Sequence, residues 1–510
     1  MRKATEPKYD GSKKRLALNI IANAISYAIG IAVSFVLTPI VINGIGREAY
    51  AFYPMSTQIT NAITLVTAAL NTMASRFIAI SLLKNKREDA NQYFSSVLFV
   101  DSLISIVLAV GMTIFIVFID RFLQIPFNLV ASVRTLFIFT FSSAIVNIIS
   151  APFGVATFAK NRIDMRSWRE IAAALLRLLL FVFFYSVLPP SLIYIGIITL
   201  GIALFNIVVQ LIFTKRLLPE ISLRRAYISK AHIKELLTSS LWAIINALGN
   251  TLLASLTLFF LNRFYGPNEA SIVSLSLTIP GFMGGIVSTI VGVYYPLITK
   301  EVADESKDSL VALIKKVQAI SGTIGCAIIA VFLPLSSSFF SLWVPTEDSN
   351  LLFICSAITL LPYLSTSCFW TATSVFTAKN KVKIPALATL IIGLLNLGTQ
   401  LIFGLTGVPY LSLPLAAGIL QIVWTGGFMP IYLSRITGER IAKYYATPLK
   451  IIMITAVVFG IVYAIAEFIS INSWLIFILV GGGCGIAALV LYFSILCKKE
   501  VIHFLERIKR

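Results

Sequence analysis

The chain has 510 residues, of which 58% are hydrophobic and 12% charged, and it carries a formal net charge of +19. So apolar a chain of this length cannot keep a water-soluble surface, which excludes a soluble globular protein. Apolar runs of about 18 or more residues recur, each long enough to cross about 30 Å of hydrocarbon as a helix, while the ten-residue alternation of a membrane β-barrel is absent; the fold class is an all-α, polytopic membrane protein.

In chain order, residues 1–15 form a polar, basic leader. Spans are predicted near Leu16–Ile42, Ala49–Ile80, Gln92–Ile119, Leu129–Ala156, Trp168–Leu188, Ser191–Phe213, Leu236–Leu261, Ala270–Ile298, Val311–Leu333, Leu351–Thr377, Ile384–Gly404, Leu411–Leu433, Pro448–Ile469 and Ser473–Cys497. The first exceeds a signal-peptide core and lacks a small-residue cleavage site, so it reads as an uncleaved anchor. The total is about fourteen, an even number, which places both termini on one side.

Charge orients the bundle. Most of the 41 Lys and Arg lie in the leader, in alternate loops such as Lys84–Arg87, Lys160–Arg169, Lys215–Lys234 and Lys379–Lys383, and in the tail Lys498–Arg510. The positive-inside rule therefore puts the N- and C-termini in the cytoplasm. Because the charge is spread over short loops beside membrane lipids, no nucleic-acid partner is expected.

Part of the chain occurs twice. Phe158-Ala159-Lys160-Asn161-Arg162 returns as Thr377-Ala378-Lys379-Asn380-Lys381 at an offset of about 219, and Gly46-Arg47-Glu48-Ala49 returns as Gly266-Pro267-Asn268-Glu269-Ala270 at about 220. A constant offset between equivalent places argues for duplication. The copies are residues 16–215 and 236–434, joined by a cytoplasmic linker, 216–235, and followed by 435–510 with two further spans and a basic tail.

Polar stripes at three- and four-residue steps mark the first two spans of each copy. Asn19, Asn23, Ser26 and Ser34 share a face of the first span, Thr60, Thr64, Thr67, Asn71 and Ser75 a face of the second, and Ser239, Asn246 and Asn250 a face of the seventh. Close helix packing explains a single stripe. With Ser274, Thr278, Gly281, Gly285 and Ser288 on the eighth, the four recurring stripes suit a hydrated cavity in which Asn23, Asn71, Asn246 and Asn250 meet sugar hydroxyls.

Intramembrane charge is the sharper signal. Asp101 and Arg177 are predicted at a similar depth, roughly 13 Å from the inner surface. Two readings stay open. They form a structural ion pair, or Arg177 binds an anion while Asp101 tunes it or takes up a coupling proton or sodium ion. Arg76, nearer the inner end of its span, either binds the same anion or snorkels. In the second copy Asn396 stands opposite Arg177, so the path is electrostatically lopsided. Pro39, Pro54, Pro280, Pro296, Pro362, Pro385, Pro414 and Gly426-Gly427 are expected bends.

The five cysteines show neither metal-ligand nor redox spacing, and both histidines fall on the cytoplasmic side. The outer connections hold only Glu48, Asp120, Glu269, Glu347 and Asp348, without a nucleotide-binding loop, so no enzyme and no cofactor are expected.

Thr38-Pro39-Ile40-Val41, Gly46-Arg47-Glu48-Ala49-Tyr50, Ala69-Leu70-Asn71 with Arg76-Phe77-Ile78-Ala79, and Lys86-Arg87-Glu88-Asp89-Ala90-Asn91 with Phe94 resemble, in that order, the N-terminal signature of the polysaccharide-transporter (Wzx-type oligosaccharide flippase) family. That family belongs to the superfamily of multidrug, oligosaccharidyl-lipid and polysaccharide exporters. The resemblance implies two six-helix lobes around a central cavity, two extra helices, and alternating access. It implies as substrate an undecaprenyl-diphosphate-linked oligosaccharide moved from the cytoplasmic to the outer leaflet of a bacterial cytoplasmic membrane, with polysaccharide polymerase and glycosyltransferases as possible partners. Arg76 and Arg177 would then engage the diphosphate or an acidic sugar. Two alternatives remain. A lipid II flippase would carry an arginine-rich first helix, which Leu16–Ile42 lacks. A cation-coupled multidrug antiporter would have twelve spans and an acidic cavity.

Overall fold

The computed structural model describes residues 13–496. Among them, fourteen helices are long and apolar enough to cross a membrane. They are α1 (Lys13–Ile45), α2 (Arg47–Leu83), α3 (Arg87–Val117), α4 (Phe127–Ala159), α5 (Ile163–Val187), α6 (Leu192–Leu217), α7 (Lys230–Tyr265), α8 (Pro267–Ala303), α9 (Lys307–Trp343), α10 (Ser349–Phe369), α11 (Lys383–Thr406), α12 (Ser412–Thr437), α13 (Ala442–Phe468) and α14 (Trp474–Leu496). In hydrocarbon every backbone N–H and C=O must be satisfied within the chain, and helices do this segment by segment. Residues 1–12 of the basic leader and 497–510 of the basic tail lie outside the described residues.

Helix ends follow local chemistry. Asp348 caps α10 by accepting from the Asn350 and Leu351 amides at 2.9 and 3.2 Å, and Ser191 caps α6 by accepting from Ile193. Not every proline bends a helix. Pro54, Pro280, Pro385 and Pro414 each stand third in a helical segment, where the missing N–H has no intrahelical partner to lose. The α8 chain is nonetheless interrupted at Leu277, just before Pro280. At Gly426-Gly427, α12 widens into a π-helical segment, Val423–Phe428, and the Tyr445 hydroxyl donates to the exposed Gly426 carbonyl.

The repeated turns match in backbone conformation. Asn161 and Asn380 both adopt left-handed φ, 52° and 54°. In each, the following amide closes back across the turn, Arg162 to the Thr157 carbonyl at 2.7 Å and Lys381 to the Phe376 carbonyl at 2.8 Å. These are Schellman stops, which favour Gly or Asn at the left-handed position. Asn85 and Glu305, at φ 58° and 54°, form a second left-handed pair at an offset of 220, and Gly46 and Gly266 form a third at φ 84° and 110°.

The chain divides into two compact units, Met1–Ser271 and Ile272–Arg510, with the division inside α8. In the first unit α1 packs on α5, α4 on α6, and α7 on α2 and α3. Leu70, Ile78, Phe94, Val97, Phe153 and Leu236 form one of its cores. The Asn268 amide donates to Glu48, its equivalent in the repeat, at 3.2 Å. In the second unit the long α9 packs on α10, α13 and α14. Gly325 permits the α9–α10 approach, because a Cβ there would lie 2.1 Å from Ser367 Oγ.

Candidate functional site

Within the first unit, α2, α4, α5 and α6 enclose a polar pocket of about 510 Å³. Helix α2 supplies Asn71, Thr72 and Ser75, α4 supplies Asn147 and Ser150, α5 supplies Arg166 and Arg169, and α6 supplies Gln210. Local sequence opens the space. Pro152 shifts α4 into a 3-10 turn over Ala151–Gly154, and the Thr214 hydroxyl of α6 donates to the Phe153 carbonyl at 2.9 Å.

The pocket is basic. Arg166 Nε donates to Glu170 Oε1 at 2.9 Å, and an Arg169 terminal nitrogen lies 3.6 Å from the same oxygen. Ser26 of α1 donates to the other Glu170 oxygen at 3.3 Å. Two guanidinium groups thus share one carboxylate. Arg169 is the deeper, with 14% of its side chain exposed against 63% for Arg166, and its Nε is buried without a partner. The Asn147 and Gln210 side chains make no hydrogen bond among the described residues. Paired guanidinium donors with neutral amides beside them suit a diphosphate joined to a sugar.

Behind this surface, the Asn71 amide donates to Asp101 Oδ2 at 2.8 Å and to the Thr67 carbonyl at 3.0 Å. Asn71 Oδ1 and Asp101 Oδ1 are both buried without partners. Asp101 is wholly buried.

Of the sequence-predicted site residues, the structure joins Asn71 to Asp101 and Asn250 to the Asn246 carbonyl, at 2.9 Å along α7. Only Asn71 lines the pocket. Asn23 and Arg76 are exposed, and Arg177 is half-buried with no polar partner among the described residues. The Asp101–Arg177 ion pair does not form. Both residues stand fourteen positions after the first residue of their helices. Helix α5, however, packs against α1 and α6, while Asp101 turns toward α2. Arg134 pairs with Asp120. Asn19 is a structural anchor: its amide donates to Asn161 Oδ1 at 3.1 Å, and its oxygen accepts from the Asp164 amide at 3.0 Å.

Arg166 and Arg169 were missed because the Lys160–Arg169 run reads as a basic cytoplasmic loop overlapping the first residues of the span, and Asn147 and Gln210 because each is an isolated amide on no polar stripe. Helix α5 begins at Ile163, with Asp164 in its first turn. An acidic residue at that place is a helix-start signal that would have brought Arg166 as well as Arg169 into the helix.

The second unit holds a separate apolar groove of about 500 Å³ between α9 and α14. Ile324, Ile328, Phe332, Phe477, Gly481 and Gly485 are among its lining residues. Its lining is apolar throughout.

A family model described as "Polysaccharide biosynthesis protein" matches residues 16–302. The "Uncharacterized membrane protein EpsK" of Bacillus subtilis (strain 168) is 26% identical over 494 residues, covering 95% of this chain and 96% of its own. The solved structure of the lipid II flippase MurJ in an inward closed conformation superimposes with a TM-score of 0.70 at 14% identity, covering 95% of this chain and 100% of that one. An inward-facing multidrug resistance MATE family transporter gives 0.67 at 13% identity, covering 83% and 98%. At these identities the likeness is one of fold.

Proposed function

The chain belongs to the polysaccharide biosynthesis protein family, and on that premise we propose that it is an alternating-access flippase moving an undecaprenyl-diphosphate-linked oligosaccharide from the cytoplasmic to the outer leaflet. The observation that carries this reading is the Arg166–Arg169 pocket. A mostly buried arginine with a free Nε, in a helix long and apolar enough to span a membrane, is costly unless an anion or water meets it. The diphosphate would bond to Arg169 and Arg166, and Asn71, Asn147 and Gln210 would exchange hydrogen bonds with sugar hydroxyls. The apolar groove of the second unit independently suits an isoprenoid chain. Arg76, Arg177, Asn23, Asn246 and Asn250 are assigned to the path taken by the head group, and Asp101 to a coupling proton or sodium ion. Both termini would face the cytoplasm of a bacterial cell.

The test is reconstitution in proteoliposomes with a fluorescent undecaprenyl-diphosphate oligosaccharide, comparing wild type with Arg169→Ala. Transbilayer movement that the variant loses is the expected result. A wild type that moves no lipid-linked glycan but exchanges small cations against a proton or sodium gradient would be an antiporter instead.

A further inference from the structure

Away from the pocket, the segment between α6 and α7 is tied down on the first turns of α3. The Ser222 amide donates to Asn91 Oδ1 at 2.8 Å, and the Ser229 amide donates to Ser96 Oγ at 3.1 Å. Between these two anchors the chain arches outward and roofs a groove of about 260 Å³. Leu98, Phe99, Ser95 and Ser102 form the α3 wall, and Arg224 and Arg225 form the roof with Leu223 and Ile228.

Three observations point to a ligand. Both arginines are exposed and have no carboxylate partner among the described residues. Ser95 lines the groove and is only 5% exposed, and its buried hydroxyl has no hydrogen-bond partner among the described residues. The α3 wall continues into Leu103, Ile106 and Val107, apolar side chains exposed by 53%, 63% and 65%. Helix α3 opens with Arg87, Glu88, Asp89, Asn91 and Gln92, so the groove lies where polar sequence gives way to hydrocarbon. A phosphate at the mouth and an acyl chain along the wall is the chemistry this combination recognises.

We propose that this groove binds one anionic glycerophospholipid, its phosphate held by Arg224, Arg225 and the Ser95 hydroxyl and its acyl chain lying on Leu98 and Phe99. A protein partner would have to cover the lipid-facing wall; a lipid meets that wall in place. The bound lipid would also brace the linker between its two anchors.

The test is native mass spectrometry of the full-length, delipidated protein titrated with phosphatidylglycerol or phosphatidylcholine. The variant is Arg224→Gln/Arg225→Gln, and Lys300→Gln/Lys316→Gln removes equal charge elsewhere as a control. Two basic residues at a membrane surface predict that the tightest phosphatidylglycerol weakens roughly 30-fold in the arginine variant and not in the control. A photo-crosslinking residue at the exposed Leu223 should label phosphatidylglycerol and leave phosphatidylcholine unlabelled. Equal affinity in both variants, or displacement of the lipid by millimolar inorganic phosphate, would overturn the proposal.

Discussion

The Asn71 amide lies 2.8 Å from the Asp101 carboxylate and ties α2 to α3 directly behind the basic pocket. Among the described residues it is the one hydrogen bond made by that buried carboxylate, because Asp101 Oδ1 has no partner. Removing the donor therefore strands a carboxylate in hydrocarbon. Asn71→Ala should destabilise the protein by roughly 2–4 kcal/mol, and Asp101→Asn by less, since two amides can still pair. Unfolding of the detergent-solubilised variants measures this. Equal stability of wild type and Asn71→Ala would show that water, not Asn71, satisfies Asp101.

The arginines should rank by burial. Arg169→Ala removes a mostly buried group and should lower glycan export by about 10- to 150-fold, the worth of one charge-assisted bond, with Arg169→Lys restoring part of it. Arg166→Ala should cost less, because that side chain is 63% exposed. Arg177→Ala should insert normally and lose export. Full export in that variant would take Arg177 out of the path. Transport per inserted molecule, measured in proteoliposomes, separates these outcomes.

Glu439, between α12 and α13, accepts from Lys443 at 2.6 Å and lies 3.4 Å from Lys307 of α9. The Lys443 hydrogen bond, assisted by that of Lys307, holds the Glu439 carboxyl below its usual range. A group with a lowered folded-state pKa stabilises above its unfolded value, and that contribution disappears as pH falls through the folded value. Glu439→Gln should thus melt at a lower temperature than wild type at pH 7, with the gap closing once pH falls well below the usual glutamate value. Melting curves of both proteins across that window are the measurement. A gap that persists in acid would mean that Glu439 acts by packing.

The two repeated turns can be told apart by substitution. Asn380 offers a left-handed φ alone, so Asn380→Gly should be nearly neutral and Asn380→Val should cost about 1–2 kcal/mol. Asn161 also accepts from Asn19, so Asn161→Gly should cost about 1 kcal/mol more than its counterpart. Thermal unfolding of the matched pair tests the difference.

These turns also mark what could be read in advance. Span number and the repeated turns were legible because hydropathy and the Lys-Asn-basic stop are local properties of the chain. The partner of Asp101 was not, because equal depth says nothing of azimuth: Asp101 faces Asn71 while Arg177 sits on a helix packed elsewhere. Arg169 escaped for the opposite reason. It stands at the second residue of the predicted span, where the preceding basic run reads as loop, and hydropathy cannot see a polar turn that neighbouring helices enclose.

The groove between α9 and α14 makes the last prediction. Gly481 and Gly485 stand one turn apart on its α14 side. A Cβ added at Gly485 would meet nothing within 4 Å, and one at Gly481 would meet only the Leu335 side chain at 3.6 Å. Large side chains there should fill the groove without disturbing the backbone. Gly485→Trp and Gly481→Trp should therefore insert and melt like wild type and yet move a long-chain prenyl-diphosphate glycan poorly. Gly485→Ala, which leaves most of the space open, should transport normally. A short-chain prenyl analogue should be far less affected by Gly485→Trp, because it has less hydrocarbon to house. Equal inhibition of long and short analogues would mean that the tryptophan blocks a movement of α14, and that the groove does not hold the chain.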